Sequence, residues 1–214
     1  MKNDKVIIEE ESQLSKSKLW NFQEDYFAEQ GVSAWMGAVP FYVSSNAVIC
    51  FSYANVVCRY LQDSYRLGML NTKHPIYLLE IGTGCGQFSY LFLQFLLDRL
   101  VKIGLSDLSI RYIMSDFTKK NVSFWRQHHQ LKPFVERGVL DFAIYDIHQE
   151  QPKLTLFESG VTLTKSVIHN PLVLIANYVF DTIKQDVFKV EQGAIYEGLT
   201  SLSTPRDNIK QNGM

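Results

Sequence analysis

The sequence predicts an α/β chain built on a doubly wound parallel sheet, with an N-terminal helical extension and a C-terminal β-hairpin. Three observations predict it. Apolar runs recur at residues 76–81, 110–114, 140–145 and 172–176. Helix-period segments separate the first three, and polar residues stand at the runs' ends: Asp116 after the second, Asp146 after the third and Asn177 after the fourth. Runs apolar on both faces are what parallel strands covered on both sides require, and strand–helix alternation builds such a sheet.

Taken in order, residues 1–73 read as an N-terminal helical extension. The first dozen residues are mostly polar, with Glu9, Glu10 and Glu11 in a row, and are expected to be a mobile end, with order beginning near Leu14. Residues 19–43 carry Leu19, Trp20, Phe22, Tyr26, Phe27, Trp35, Phe41 and Tyr42, a density of rings that predicts a helical lid packed on the main sheet. A helix over 47–65 follows from the stripe Ile49, Tyr53, Val56, Val57, Tyr60 and Leu61, with Ser45 or Asn46 as its N-cap.

Residues 74–185 form the expected core. The helix after the first strand places Phe88, Leu91, Phe92, Phe95, Leu96 and Leu100 inward and ends near Gly104. The next carries Val122, Trp125 and His129 and is expected to stop before Pro133. Residues 154–168 are open between a helix and a short hairpin turning at Glu158-Ser159-Gly160. Residues 186–199 read as a hairpin with its turn at Glu191-Gln192-Gly193, and 200–214 as a polar tail. With only four strands ahead of the hairpin, the core is expected to be the N-terminal part of a larger sheet, with apolar surface and unpaired backbone along one edge.

Composition sets limits. The chain of 214 residues, 46 % hydrophobic, can bury a core of one domain with an appendage. No apolar run is long enough for a membrane span or a secretory leader, which leads to the expectation of a cytoplasmic protein. Cys50, Cys58 and Cys85 lack a Cys-x-x-Cys pair and are expected to be reduced thiols. The five histidines show no metal-ligand spacing, and a net charge of −1 argues against a broad nucleic-acid face.

The stretch 76–86, Ile-Tyr-Leu-Leu-Glu-Ile-Gly-Thr-Gly-Cys-Gly, carries the chemistry. Gly82, Gly84 and Gly86 allow a tight turn and a close ligand approach, and the helix that starts near Gln87 aims its first amides at the same place. A dinucleotide loop would want a small residue where Gln87 stands. A purely structural turn is the remaining alternative. Asp116 is placed to accept from the hydroxyls of a ribose, or to cap the next helix; Asp146 is placed to accept from an adenine amino group, or to be an ordinary loop acid. Two acids, Glu80 and Asp116, at adjacent strand ends suit a ligand with an amine, two hydroxyls and a sulfonium, and suit a pyrophosphate poorly.

The pattern Glu80-x-Gly82-x-Gly84-x-Gly86 resembles the first motif of the class I S-adenosyl-L-methionine (SAM) methyltransferases, which have a Rossmann-like fold. That resemblance implies SAM as cofactor, with Glu80 near its methionine end and the glycines beneath it. The run Ala176-Asn177-Tyr178-Val179-Phe180-Asp181-Thr182 narrows the likeness to the MidA-like methyltransferases, a group that includes complex I assembly factors acting on protein arginine. It spans most of residues 40–199. There it implies Ser45 near the cofactor and a protein acceptor; by topology, Asn177, Tyr178 and Asp181 are the candidates nearest the transferred methyl. Where that group carries an acid after Asn, this chain has Tyr178, so a role carried by the acid does not transfer; the alternative for Asn177 to Asp181 is a buried turn satisfying its own backbone. The competing functions are a SAM- or nucleotide-binding module without catalysis, serving assembly of a partner, and an NAD-linked oxidoreductase, against which Gln87 counts.

Overall fold

The computed structural model describes residues 5–37, 39–150 and 153–206. In chain order the elements are β1 (Lys5–Gln13), α1 (Leu19–Gln30), α2 (Ala47–Arg66), β2 (Ile76–Ile81), α3 (Gln87–Lys102), β3 (Ile110–Asp116), α4 (Lys119–Gln127), α5 (Lys132–Glu136), β4 (Leu140–Ile144), β5 (Val173–Ala176), β6 (Val187–Glu191) and β7 (Ala194–Pro205). Short 3₁₀ turns lie at Leu14–Lys16, Gly31–Met36 and Phe41–Val43. The chain divides into two compact units, residues 30–181 and the two ends, 1–29 with 182–214.

The larger unit contains the predicted parallel sheet, in the order β4-β3-β2-β5. Each pair is parallel, with Leu78 opposite Tyr112 and Val173, and Met114 opposite Phe142. The order follows from crossovers: a parallel neighbour is reached only through a connection over the sheet face, here α3 between β2 and β3 and α4–α5 between β3 and β4. One face carries the main core, where α2 and α3 press Cys50, Leu61, Phe92 and Leu96 onto Leu78, Tyr112 and Ile175. The other face is thinner. Tyr77, Leu79, Ile113 and Ala143 pack there against Leu154 and Leu156. This second cover is the hairpin alternative for residues 154–168, an antiparallel bridge between Thr155 and Thr162, fastened by Asp141, which accepts from the Glu158 and Ser159 amides at 2.8 and 3.1 Å. On the far edge, β5 leaves Leu174 exposed.

The four core strands and α2 sit where periodicity put them, to within two residues. The α2 N-cap is Asn46, whose Oδ1 accepts from the Ile49 amide at 3.0 Å. Pro133 behaves differently from expectation. It opens α5 instead of only ending a helix, because a proline in the first turn lacks only a donor that would be unpaired there anyway. His129 consequently lies in the α4–α5 connection and not on α4.

The smaller unit departs most from the sequence reading. Residues 5–13, assigned to a mobile end of a helical extension, form strand β1, antiparallel to β7, which pairs with β6 in the order β1-β7-β6. Residues 200–205, assigned to a polar tail, belong to β7; residues 207–214 lie outside the described residues. The signal was weak because this ribbon buries little, β7 alternating only between exposed and half-buried positions, and none of the three strands shows sustained apolar–polar alternation in sequence. The hairpin turn falls where expected, with Gln192 at φ 50° and Gly193 at φ 81°, the left-handed pair of a tight hairpin. The helix α1 lies mostly in this unit. Its aromatic Trp20 is buried, and its indole donates to the Leu14 carbonyl at 2.5 Å.

Candidate functional site

The loop from β2 to α3 has the backbone that its glycines predict. Gly82, Gly84 and Gly86 have φ of 68°, 62° and 84°, the left-handed region where any other side chain is strained. Gly86 is the N-cap of α3, so that helix begins on the loop. Each glycine also has a neighbour that its missing Cβ would strike: Val179 at Gly82, Trp35 at Gly84, and Met114 with Trp125 at Gly86.

Beneath the loop lies a dense polar floor. The Glu80 carboxylate is buried, and its Oε2 accepts from the hydroxyls of Thr83 at 3.0 Å, Tyr112 at 2.7 Å and Ser89. Burial raises its pKa above the ordinary carboxyl value, while the three hydroxyls act the other way. Asp116 at the end of β3 is equally buried. Its Oδ1 accepts from the Thr118 amide and hydroxyl, both at 2.9 Å, and its Oδ2 from the Gly84 amide at 3.3 Å and the Asn121 carboxamide at 3.0 Å. Burial raises this pKa as well, against the pull of its donors. On the α4 side, the Trp125 indole donates to the Gly84 carbonyl at 3.1 Å. Gly84 is therefore held by both its amide and its carbonyl.

A second layer covers the loop. The Gln87 side chain donates to the Ser45 carbonyl at 3.0 Å, and the Asn177 side chain to the Ser44 carbonyl at 3.1 Å. These bonds bring the segment before α2 and the loop after β5 to the start of α3. Val179 is buried against Gly82, while Tyr178 stands exposed beside it with φ of 54°, a conformation that a bulky residue rarely adopts. Phe180 and Asp181 are exposed. Asp146, after β4, is half-buried and accepts from the His148 amide at 2.9 Å in a local turn.

The predicted residues thus divide into three sets. The three glycines, Ser45, Asn177 and Tyr178 converge at the carboxyl ends of β2 and β5. Glu80 and Asp116 lie beneath them with their bonds turned inward. No hydrogen bond ties Asp146 or Asp181 to the glycine loop among the contacts described. What sequence reasoning missed is Trp35 on Gly84, and the partners Ser89, Tyr112, Asn121 and Trp125. Trp35 had a signal, the ring-rich stretch 19–43; the others are distant in sequence from the acids and glycine they serve. Among the described residues no group of three or more metal-ligating side chains occurs, and no helix is long and apolar enough to cross a membrane. A cleft of about 570 Å³ lies elsewhere, between α3 and α5, lined by Tyr90, Leu97, Phe134 and Arg137.

No protein-family model and no curated protein sequence matches the chain. Among solved structures, the citrinin polyketide synthase CMeT domain is similar at a TM-score of 0.36 and 17 % identity, over 65 % of this chain and 35 % of that one. The chain therefore spans about a third of that chain's length. The α/β fold stands on the sheet order itself, a Rossmann-like parallel arrangement.

Proposed function

We propose that the chain binds SAM at the β2–α3 loop and belongs to a methyl-transferring domain. The observation that carries this reading is the loop itself: a central parallel strand runs into three left-handed glycines and then into a helix N-terminus, at the sheet end where ligands of such folds bind. The backbone fits the cofactor better than the acids do. The glycines and the first amides of α3 form a cradle that can meet a carboxylate such as that of a methionine moiety. Ser45 and Asp146 remain candidates for its edge. Asp116 has no oxygen to spare for a ribose in this arrangement, and its work is to hold Gly84 and start α4.

Bound in the cradle, SAM would supply an electrophilic methyl group. This chain's residues would supply proximity and alignment, the main requirement of an in-line displacement. Asn177 and Tyr178 directly precede Val179, which packs on Gly82, with Asp181 farther along, and an acceptor protonated at working pH would need one of these groups, or an outside base, to take its proton. The acceptor we favour is a protein side chain, on the MidA-like resemblance of residues 176–182; arginine is not specified, since Tyr178 replaces the acid of that run. A reducing, cytoplasmic setting suits Cys50, Cys58 and Cys85, all free thiols.

One alternative has its own support. The inward-facing acids and the Trp35 ring on Gly84 favour a module that binds cofactor without turnover. Titration of the full chain with SAM, S-adenosylhomocysteine and NAD, followed by a search for methyl transfer to protein, separates the readings. Binding of the first two without NAD supports a SAM site, and transfer distinguishes enzyme from module. NAD binding alone overturns both.

A further inference from the structure

The geometry points to Trp35 as a gate on the glycine loop, a side chain that occupies the cradle and must leave before a cofactor can seat. This rests on the proposal that the loop is a SAM site. A glycine at the middle of such a loop lets a ligand approach the backbone where a Cβ would intrude. Here that approach is already used by the protein. A Cβ built on Gly84 would lie 2.8 Å from both Cε2 and Cζ2 of Trp35 and 3.1 Å from its Nε1, so the indole rests on the open side of the residue. The other side is closed from below, where the Gly84 amide and carbonyl are bound to Asp116 and Trp125. A ligand and the ring cannot share this place.

Three features make the ring displaceable. Trp35 is half-buried, unlike the fully buried Trp125 beneath the loop, so its removal opens no core cavity. It sits on the short 3₁₀ turn Gly31–Met36, with glycine at the first position, Gly31 at φ 58°, and Gly37 just beyond, where an added Cβ would meet nothing within 4 Å. At the foot of this turn the arrangement is also incompletely satisfied. Asn121 is wholly buried and its Oδ1 has no hydrogen-bond partner, while the position of a Gly31 Cβ lies 3.4 Å from that oxygen. An unpartnered buried acceptor disfavours the closed arrangement relative to one in which solvent or a rearranged turn reaches it.

A ring that competes with the cofactor lowers apparent affinity by the fraction of molecules in which the cradle is open. The test is calorimetric titration of S-adenosylhomocysteine into the full-length wild type, Trp35→Ala and Trp35→Phe. The gate predicts that Trp35→Ala binds about tenfold tighter or more, the gain when an open fraction near a tenth becomes complete, with Trp35→Phe between. Equal or weaker binding by a folded Trp35→Ala would overturn it and make the indole a wall of the site. Stopped-flow fluorescence gives a second readout. An observed rate that falls as ligand rises, or association slower in the wild type than in Trp35→Ala, marks opening before binding, whereas association as fast in the wild type as in Trp35→Ala at every ligand concentration contradicts the gate. If neither wild type nor Trp35→Ala binds S-adenosylhomocysteine, the SAM reading itself fails and the gate falls with it.

Discussion

The floor and the roof of the glycine loop are built on different terms. Beneath it, Glu80 and Asp116 are buried and draw donors from β3, α3, α4 with its N-cap Thr118, and the loop itself, so that moving any one partner strands others. Above it, the segments around Ser45 and Asn177 are tied by single side-chain bonds to carbonyls, and the covering rings of Trp35 and Tyr178 are half-buried or exposed. A buried polar network whose acids each serve several donors fixes one conformation; isolated bonds near solvent leave room for several. The loop's shape is set by the floor; under the proposed function, ligand admission and acceptor choice would fall to the roof.

The largest expected effect comes from joining the two layers by force. Gly84→Val should destabilise the fold by about 2–5 kcal/mol, combining a β-branched residue in the left-handed region with overpacking against Trp35. Chemical denaturation measures it, and a loss under 1 kcal/mol would mean that the ring simply swings aside. Asp116→Ala should follow at about 2–4 kcal/mol, since it leaves buried donors on Gly84, Thr118 and Asn121 unpaired. A well-folded Asp116→Ala chain of unchanged stability would remove the acid from the floor and return it to ligand binding.

Dependence on pH sharpens the contrast. Glu80 and Asp116 titrate above the ordinary 4.5 and 3.8, chiefly through burial. The folded chain therefore holds more protons across that interval than the unfolded one. Their contribution to stability is full below the unfolded values and is lost as the pH rises through the folded ones. Glu80→Gln, which keeps an acceptor oxygen without the charge, should flatten the fall in denaturation free energy as the pH rises from the unfolded carboxyl value of 4.5. An unaltered slope would place the dependence elsewhere. The smallest effect belongs to the roof: Asn177→Ala should cost about 0.5–1.5 kcal/mol, the net worth of one hydrogen bond, read as a modest drop in melting temperature. A larger loss would show that the roof is not the looser layer.

The sequence made the core legible because its strands are buried on both faces. Runs such as Ile76–Ile81 admit no polar interruption except Glu80, and the glycines that follow carry a conformational requirement visible one residue at a time. The ribbon of β1, β6 and β7 was only half legible. Its tight Gln192-Gly193 turn is a local signal, but β1 pairs with residues almost two hundred positions away and buries too little to show a period. The same distance hid the floor. Nothing in the spacing of Glu80, Ser89 and Tyr112 announces that they share one oxygen, so the inward bonds of both acids were not legible. Trp35 was visible only as one ring among many, since what it covers is decided by tertiary packing.

The most direct test of the central claim is calorimetric titration of S-adenosylhomocysteine, with NAD in parallel, into the full-length chain and into a Gly82→Ala variant whose Cβ would sit 3.0 Å from Val179. The account predicts one-site binding of S-adenosylhomocysteine by the wild type, a higher melting temperature with the ligand present, and binding lost or much weakened in the variant. Binding of NAD in its place, or of neither ligand by the wild type and by Trp35→Ala, would contradict it.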